Sequence, residues 1–102
     1  GNIAMNEPGT QPNSSTRLVI MDGNSRVDVK SLFGNVAQVP TCAITLGIDT
    51  ILQAKEVILL AFGQHKASIV KQAIEEVASS ACPASYLQRK CFIYKLKHLC
   101  YA

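Results

Sequence analysis

Two short stretches hold residues fit for chemistry. In Gly63-Gln64-His65-Lys66, an apolar run ends, a glycine turns the chain and a helical pattern begins. Backbone N–H groups at such a helix start attract anions, and a lysine in the first turn adds a full positive charge. The same lysine opposes the helix dipole, so residue type alone favours a side chain that reaches into water. The stretch is not a P-loop, because it lacks the two-glycine spacing and has Ala67 after the lysine. In the second stretch, Glu7 follows a run that reads as a strand end and is held by Pro8-Gly9. Strand ends are where α/β enzymes place carboxylates; position alone favours an exposed turn glutamate. Asp49 is expected to cap a short helix, His65 to be a first-turn surface residue, and Arg17 to sit on a strand edge, facing a phosphate or a surface carboxylate.

Other chemistries find little support. The four cysteines, at positions 42, 82, 91 and 100, form no Cys-x-x-Cys pair, and His65 and His98 do not complete a zinc-ligand spacing. No secretory signal opens the chain, so reduced cysteines acting as small hydrophobes and a cytoplasmic location are expected. The net charge of +3 is a property of the tail: residues 1–66 carry five basic and five acidic side chains, whereas Arg89, Lys90, Lys95 and Lys97 stand without an acid after Tyr86. That tail lacks the aromatic or glycine interleaving of a nucleic-acid module and reads as a solvated end. The longest apolar run, Val57 to Phe62, is six residues and too short to cross a bilayer. Neither a nucleic-acid nor a membrane partner is expected.

The elements that must position these residues follow from patterning. At 102 residues and 48% hydrophobic, the chain is one small domain or a piece of a larger one, with a core available. Charged residues make up 17%, low enough to suggest that some surface is meant to be covered. Because the chain opens on Gly1 in a turn-like stretch, sequence is expected upstream. Residues 1–6 read as a strand end entering a turn, and 10–15 as a polar loop. Strands are expected over Thr16–Met21 and Cys42–Leu46. Asp22-Gly23-Asn24-Ser25 reads as a turn, Arg26–Phe33 as a weak helical pattern and Gly34–Pro40 as irregular. Asp49–Lys55 reads as a short helix. Val57–Phe62 has the continuous apolar character of a strand buried on both faces of a parallel sheet. His65–Ala78 is an amphipathic helix, Pro83 starts a further short helix over Ala84–Gln88, and Phe92–Tyr94 reads as a last strand. The order is that of an α/β domain with too few elements to cover both sheet faces, hence half of one.

Several segments together resemble the glucosamine-6-phosphate deaminase (isomerising) family. They are Gly1-Asn2-Ile3-Ala4-Met5-Asn6-Glu7-Pro8-Gly9, Ser15-Thr16-Arg17, Gln38-Val39-Pro40, Ala43-Ile44-Thr45-Leu46-Gly47-Ile48, Ala54-Lys55-Glu56-Val57-Ile58-Leu59-Leu60, Gly63-Gln64-His65-Lys66-Ala67 and Pro83-Ala84-Ser85-Tyr86-Leu87-Gln88. The match runs in order from Gly1 to about Gln88. It implies that residues 1–88 are the C-terminal part of such a domain and that 89–102 are a divergent, basic and apolar tail, altered or frame-shifted. The implied fold is a partial Rossmann-like three-layer α/β domain with a mostly parallel sheet. The implied reaction converts glucosamine 6-phosphate and water to fructose 6-phosphate and ammonia, with no metal or organic cofactor.

The resemblance also assigns residues. Glu7 falls on the carboxylate that supports ring opening, and Lys66 on the lysine that binds the substrate phosphate, which lifts the anion reading of its helix start. Asn2 occupies the place of the ring-opening histidine; asparagine can hydrogen-bond a ring oxygen but cannot exchange a proton near neutral pH. The aspartate two residues before that histidine would precede Gly1, and the base that takes the C2 proton belongs to the N-terminal half. A second phosphate-binding arginine aligns near Ser31, with Lys30 beside it. Arg17 and Thr10 fill two of the three places of an effector-phosphate site, and Val19 cannot replace its lysine.

Three functions follow for a small-molecule sugar-phosphate protein, with self-association into a homo-oligomer left open: a deaminase, a catalytically inactive paralogue or fragment that binds sugar phosphate or a partner subunit, and a phosphogluconolactonase-like hydrolase. The Asn-Glu-Pro-Gly run and the Gly-x-x-Lys-Ala helix start favour the deaminase branch over the lactonase. A half-domain leaves sheet edges uncovered, an aggregation hazard, so these residues alone are not expected to fold cooperatively.

Overall fold

The computed structural model describes residues 1–90. Its element order is strand β1 (Arg17–Ile20), helix α1 (Gly23–Asp28), strand β2 (Cys42–Thr45), helix α2 (Ile48–Leu52) and helix α3 (Ala67–Glu75). Short 3-10 turns cover Lys30–Leu32, Val36–Gln38, Gln64–Lys66 and Pro83–Arg89. The described residues thus mix short helices and strands.

β1 and β2 pair antiparallel, with Leu18 opposite Ile44 and Ile20 opposite Cys42. Alternation sends Arg17 and Val19 to the inner side and Leu18 and Ile20 outward, where they are 69% and 79% exposed. The loop before β1 is locked to the start of α2. Ser14 accepts the amide of Asp49 on its carbonyl at 3.1 Å and that of Ile48 on its hydroxyl at 3.0 Å. Its backbone passes so close to Gly47 that a Cβ there would stand 2.1 Å from the Ser14 carbonyl oxygen, so only glycine fits. Asp49 is therefore not the cap expected of it: it lies in the first turn and accepts instead from Gln53 Nε2 at 2.9 Å.

The other half packs α3 on the Pro83–Arg89 turn. Ala73, Cys82 and Ala84 are buried together, with Ile3 and Ile69 against them. Pro83 starts that turn with its dihedral already suited. Gln88 Nε2 donates to the carbonyls of Ala73 and Glu76, both at 2.8 Å, and so closes the end of α3.

Several expectations change. Asp22-Gly23-Asn24-Ser25 is not a free turn but the start of α1, because the Asp22 side chain accepts the Ser25 amide at 2.7 Å and caps the helix. The long helix stops at Glu75 rather than Ala78: Glu76 is extended, and Val77 is 91% exposed instead of lying on the apolar face. The only sheet among the described residues is antiparallel and two-stranded, unlike the mostly parallel sheet expected. Val57–Phe62 is not buried on both faces. Val57, Leu59 and Ala61 are half-buried, while Ile58, Leu60 and Phe62 are 62%, 60% and 57% exposed. A doubly buried strand needs neighbours on both faces, and among the described residues nothing covers this outer face. The strand expected at Phe92–Tyr94, and the tail from Cys91 onward, lie outside the described residues. No described helix is long and apolar enough to cross a membrane.

Candidate functional site

A cleft of about 470 Å³ opens between the N-terminal residues, the 59–62 segment and α3. Asn2, Asp28, His65 and Lys66 supply its polar lining, and Leu59, Phe62, Ile69 and Val70 much of its apolar wall. Gly63 turns the chain into it with φ at +87°, and a Cβ at that position would meet the His65 ring at 2.7 Å. Glycine is therefore favoured by the dihedral, and any side chain there would also have to displace the exposed His65 ring. His65, expected to be only a surface residue, is exposed but lines the cleft.

Lys66 sits at the N-cap position of α3, half-buried, with its ammonium 3.4 Å from Asp28 Oδ2. The pair joins the end of α1 to the start of α3 and offsets the charge that would oppose the α3 dipole. Both side chains remain open to water, at 41% and 65% exposure, so the contact itself contributes under about 1 kcal/mol.

At the other end, a tight turn brings Asn2 and Glu7 together. Ile3 and Asn6 pair across Ala4 and Met5, both left-handed at φ +47° and +59°. Neither is glycine, so the turn holds strain of order 1 kcal/mol per residue. Asn6 is fully buried and compensates: its Nδ2 donates to the carbonyls of Ile3 at 3.0 Å and Leu46 at 2.8 Å, and its Oδ1 accepts from Arg17 at 3.0 Å. Beside this turn, Asn2 Nδ2 donates to Glu7 Oε1 at 3.3 Å and to Ser25 Oγ at 2.9 Å. The Ser25 hydroxyl in turn donates to Glu7 Oε1. The backbone amide of Ser25 holds the Asp22 carboxyl below its ordinary value of 3.8.

Glu7 is half-buried and reaches the cleft through Asn2 rather than lining it. Arg17 and Thr10 also meet, with an Arg17 nitrogen 3.4 Å from Thr10 Oγ1, and Thr10 Oγ1 donates to the Glu7 carbonyl at 2.7 Å. Val19 shares the inner face of β1 with Arg17. Lys30 and Ser31 are exposed and do not line the cleft. Among the described residues, no three His, Cys, Asp or Glu side chains gather in a way that could hold a metal ion.

Ser25 and Asn6 are the participants that sequence reasoning missed. The aspartate three residues before Ser25 was the available signal for α1; nothing local marks Asn6, whose partners lie as far away as Leu46.

Known proteins resemble this chain over most of its length. The glucosamine-6-phosphate isomerase/6-phosphogluconolactonase family profile matches residues 21–94. A glucosamine-6-phosphate deaminase-like protein of Bacteroides thetaiotaomicron is 49% identical over 88 residues, covering 86% of this chain and 13% of its own. A glucosamine-6-phosphate deaminase of Bacillus thuringiensis is 44% identical over 89 residues, covering 87% of this chain and 34% of its own. A solved monomeric glucosamine-6-phosphate deaminase, described as a missing link of the NagB superfamily, superposes with a TM-score of 0.85 at 36% identity, over 91% of this chain and 39% of that one. The chain thus spans only part of each relative, from 13% of the Bacteroides protein to 39% of the solved structure. With a profile that matches well over half of its residues, the chain belongs to the glucosamine-6-phosphate isomerase/6-phosphogluconolactonase family.

Proposed function

We propose that the protein acts as a glucosamine-6-phosphate deaminase, converting glucosamine 6-phosphate and water to fructose 6-phosphate and ammonia in the cytoplasm. The observation that carries this reading is the cleft itself: Asn2 and Lys66 line one opening, and Asn2 hydrogen-bonds the Glu7 carboxylate. An ammonium suits a phosphoryl group at one end, and a carboxylate with an amide suits the sugar ring at the other. Lys66 would leave Asp28 to hold the phosphate. Glu7 would support proton movement between the anomeric hydroxyl and the ring oxygen, and Asn2 would orient that oxygen by donating a hydrogen bond. Arg17 and Thr10, already in contact, would receive an effector phosphate. Residues 57–62 would join a parallel, Rossmann-like sheet in the complete domain, of which residues 1–88 form the C-terminal part; their exposed face supports this.

The substitution at Asn2 favours a second reading, in which sugar phosphate binds without turnover, because an amide cannot shuttle protons near neutral pH. An assay of the intact protein for ammonia and fructose 6-phosphate separates the two. Turnover with KM raised about tenfold or more in Lys66→Ala supports the deaminase. Binding that is lost in Lys66→Ala, with no ammonia from the wild type, establishes the second reading. Wild-type affinity for glucosamine 6-phosphate in Lys66→Ala overturns both.

A further inference from the structure

We infer that Ser25 is a positioning residue for Glu7 and Asn2, an inference that rests on the deaminase reading of the cleft. Ser25 comes from α1, eighteen residues beyond Glu7, and is 7% exposed. Its hydroxyl makes both contacts available to it there, giving its proton to Glu7 Oε1 and accepting the Asn2 amide at 2.9 Å. A hydroxyl can do both at once because it carries one donor and two acceptor sites. One carboxylate oxygen of Glu7 and the amide of Asn2 are thereby fixed relative to each other, although the turn between them is strained.

The hydroxyl cannot wander. Asp22 Oδ1 holds the Ser25 amide at 2.7 Å, which sets the first turn of α1 and with it the direction of the Ser25 side chain. Without Ser25, Asn2 keeps only its 3.3 Å contact to Glu7, and Asn2 is an exposed residue with rotamer freedom to spend. Ser25 lies off the cleft and away from Lys66, which pairs with Asp28 at the far end of the same helix. Its loss is therefore read at the ring-facing end and not in phosphate capture.

The test compares wild type, Ser25→Ala and Ser25→Thr in the intact protein by steady-state release of ammonia from glucosamine 6-phosphate. Loss of a hydrogen bond to a charged group predicts kcat lowered about tenfold or more in Ser25→Ala, KM changed by less than about twofold, and kcat restored to within about threefold by threonine, which keeps the hydroxyl. A Ser25→Ala variant with wild-type kcat, or one whose loss threonine does not rescue, overturns the inference. Solvent exchange of the Asn2 side-chain amide, followed by NMR in the same three proteins, gives a readout independent of turnover. Exchange faster by about tenfold or more in Ser25→Ala and slow again in Ser25→Thr upholds the positioning role even if the wild type releases no ammonia, an outcome that would remove only the deaminase reading. Equal exchange in all three proteins overturns it.

Discussion

The two ends of the cleft are built on opposite plans. At the Glu7 end, side chains from four separate stretches (Asn2 with Asn6, Arg17, Ser25 and Thr10 around the glutamate) interlock through hydrogen bonds, and Asn6 and Ser25 are buried. At the Lys66 end, among the described residues, one ion pair between solvent-open side chains holds the lysine. Buried, mutually satisfied polar groups hold a fixed geometry, because each broken contact strands a desolvated partner. An exposed pair yields at little cost. The contrast suits a ligand whose ring must be oriented while its anionic group only has to be caught.

The sharpest way to break this contrast is at Asn6. Asn6→Ala removes three hydrogen bonds at once, to the Ile3 and Leu46 carbonyls and from Arg17, and is expected to cost about 2–3 kcal/mol in urea unfolding of the intact protein. A loss within experimental scatter would mean that the network does not hold the turn. Asp22→Ala probes the cap behind Ser25, with an expected loss of about 1 kcal/mol near neutral pH. The effect carries a pH signature. Because the folded carboxyl is held below its ordinary value of 3.8, the unfolded chain binds the proton first as pH falls. The stabilisation is complete above the unfolded value and lost as pH drops through the folded one. The difference between wild type and Asp22→Ala in thermal melts should therefore shrink below about pH 4; a gap that stays constant to acid would place the cap's contribution elsewhere. The smallest effect is expected at the open end, where Asp28→Asn should change stability by less than about 1 kcal/mol. A larger loss would show the two ends to be equally rigid.

How much of this was legible depends on the range of the cause. β1 and β2 announced themselves through short runs of β-branched and apolar residues, and α3 through its 3.6-residue apolar period, because those patterns are written in nearby residues. The start of α1 was hidden, since Gly23-Asn24 resembles a turn and only the reach of Asp22 to Ser25 makes it helical. The end of α3 was misplaced because Gln88, twelve residues past Glu76, closes it. Lys66, Glu7 and Asn2 could be singled out by resemblance to a family. Their joint arrangement could not, because it depends on Ser25 and on the left-handed Ala4 and Met5, whose conformation is unfavourable for those residue types and is imposed by the buried Asn6.

The outer side of β1 and β2 has a practical consequence. Leu18, Ile20 and Ile44 stand in water, with Leu18 directly opposite Ile44. Bare hydrocarbon on a short sheet makes a protein cling to itself and to surfaces as it is concentrated. Lysine or glutamate at Ile20 and Ile44 would raise solubility while leaving the inward-facing Arg17 and the cleft untouched, because neighbouring residues of a strand face opposite sides.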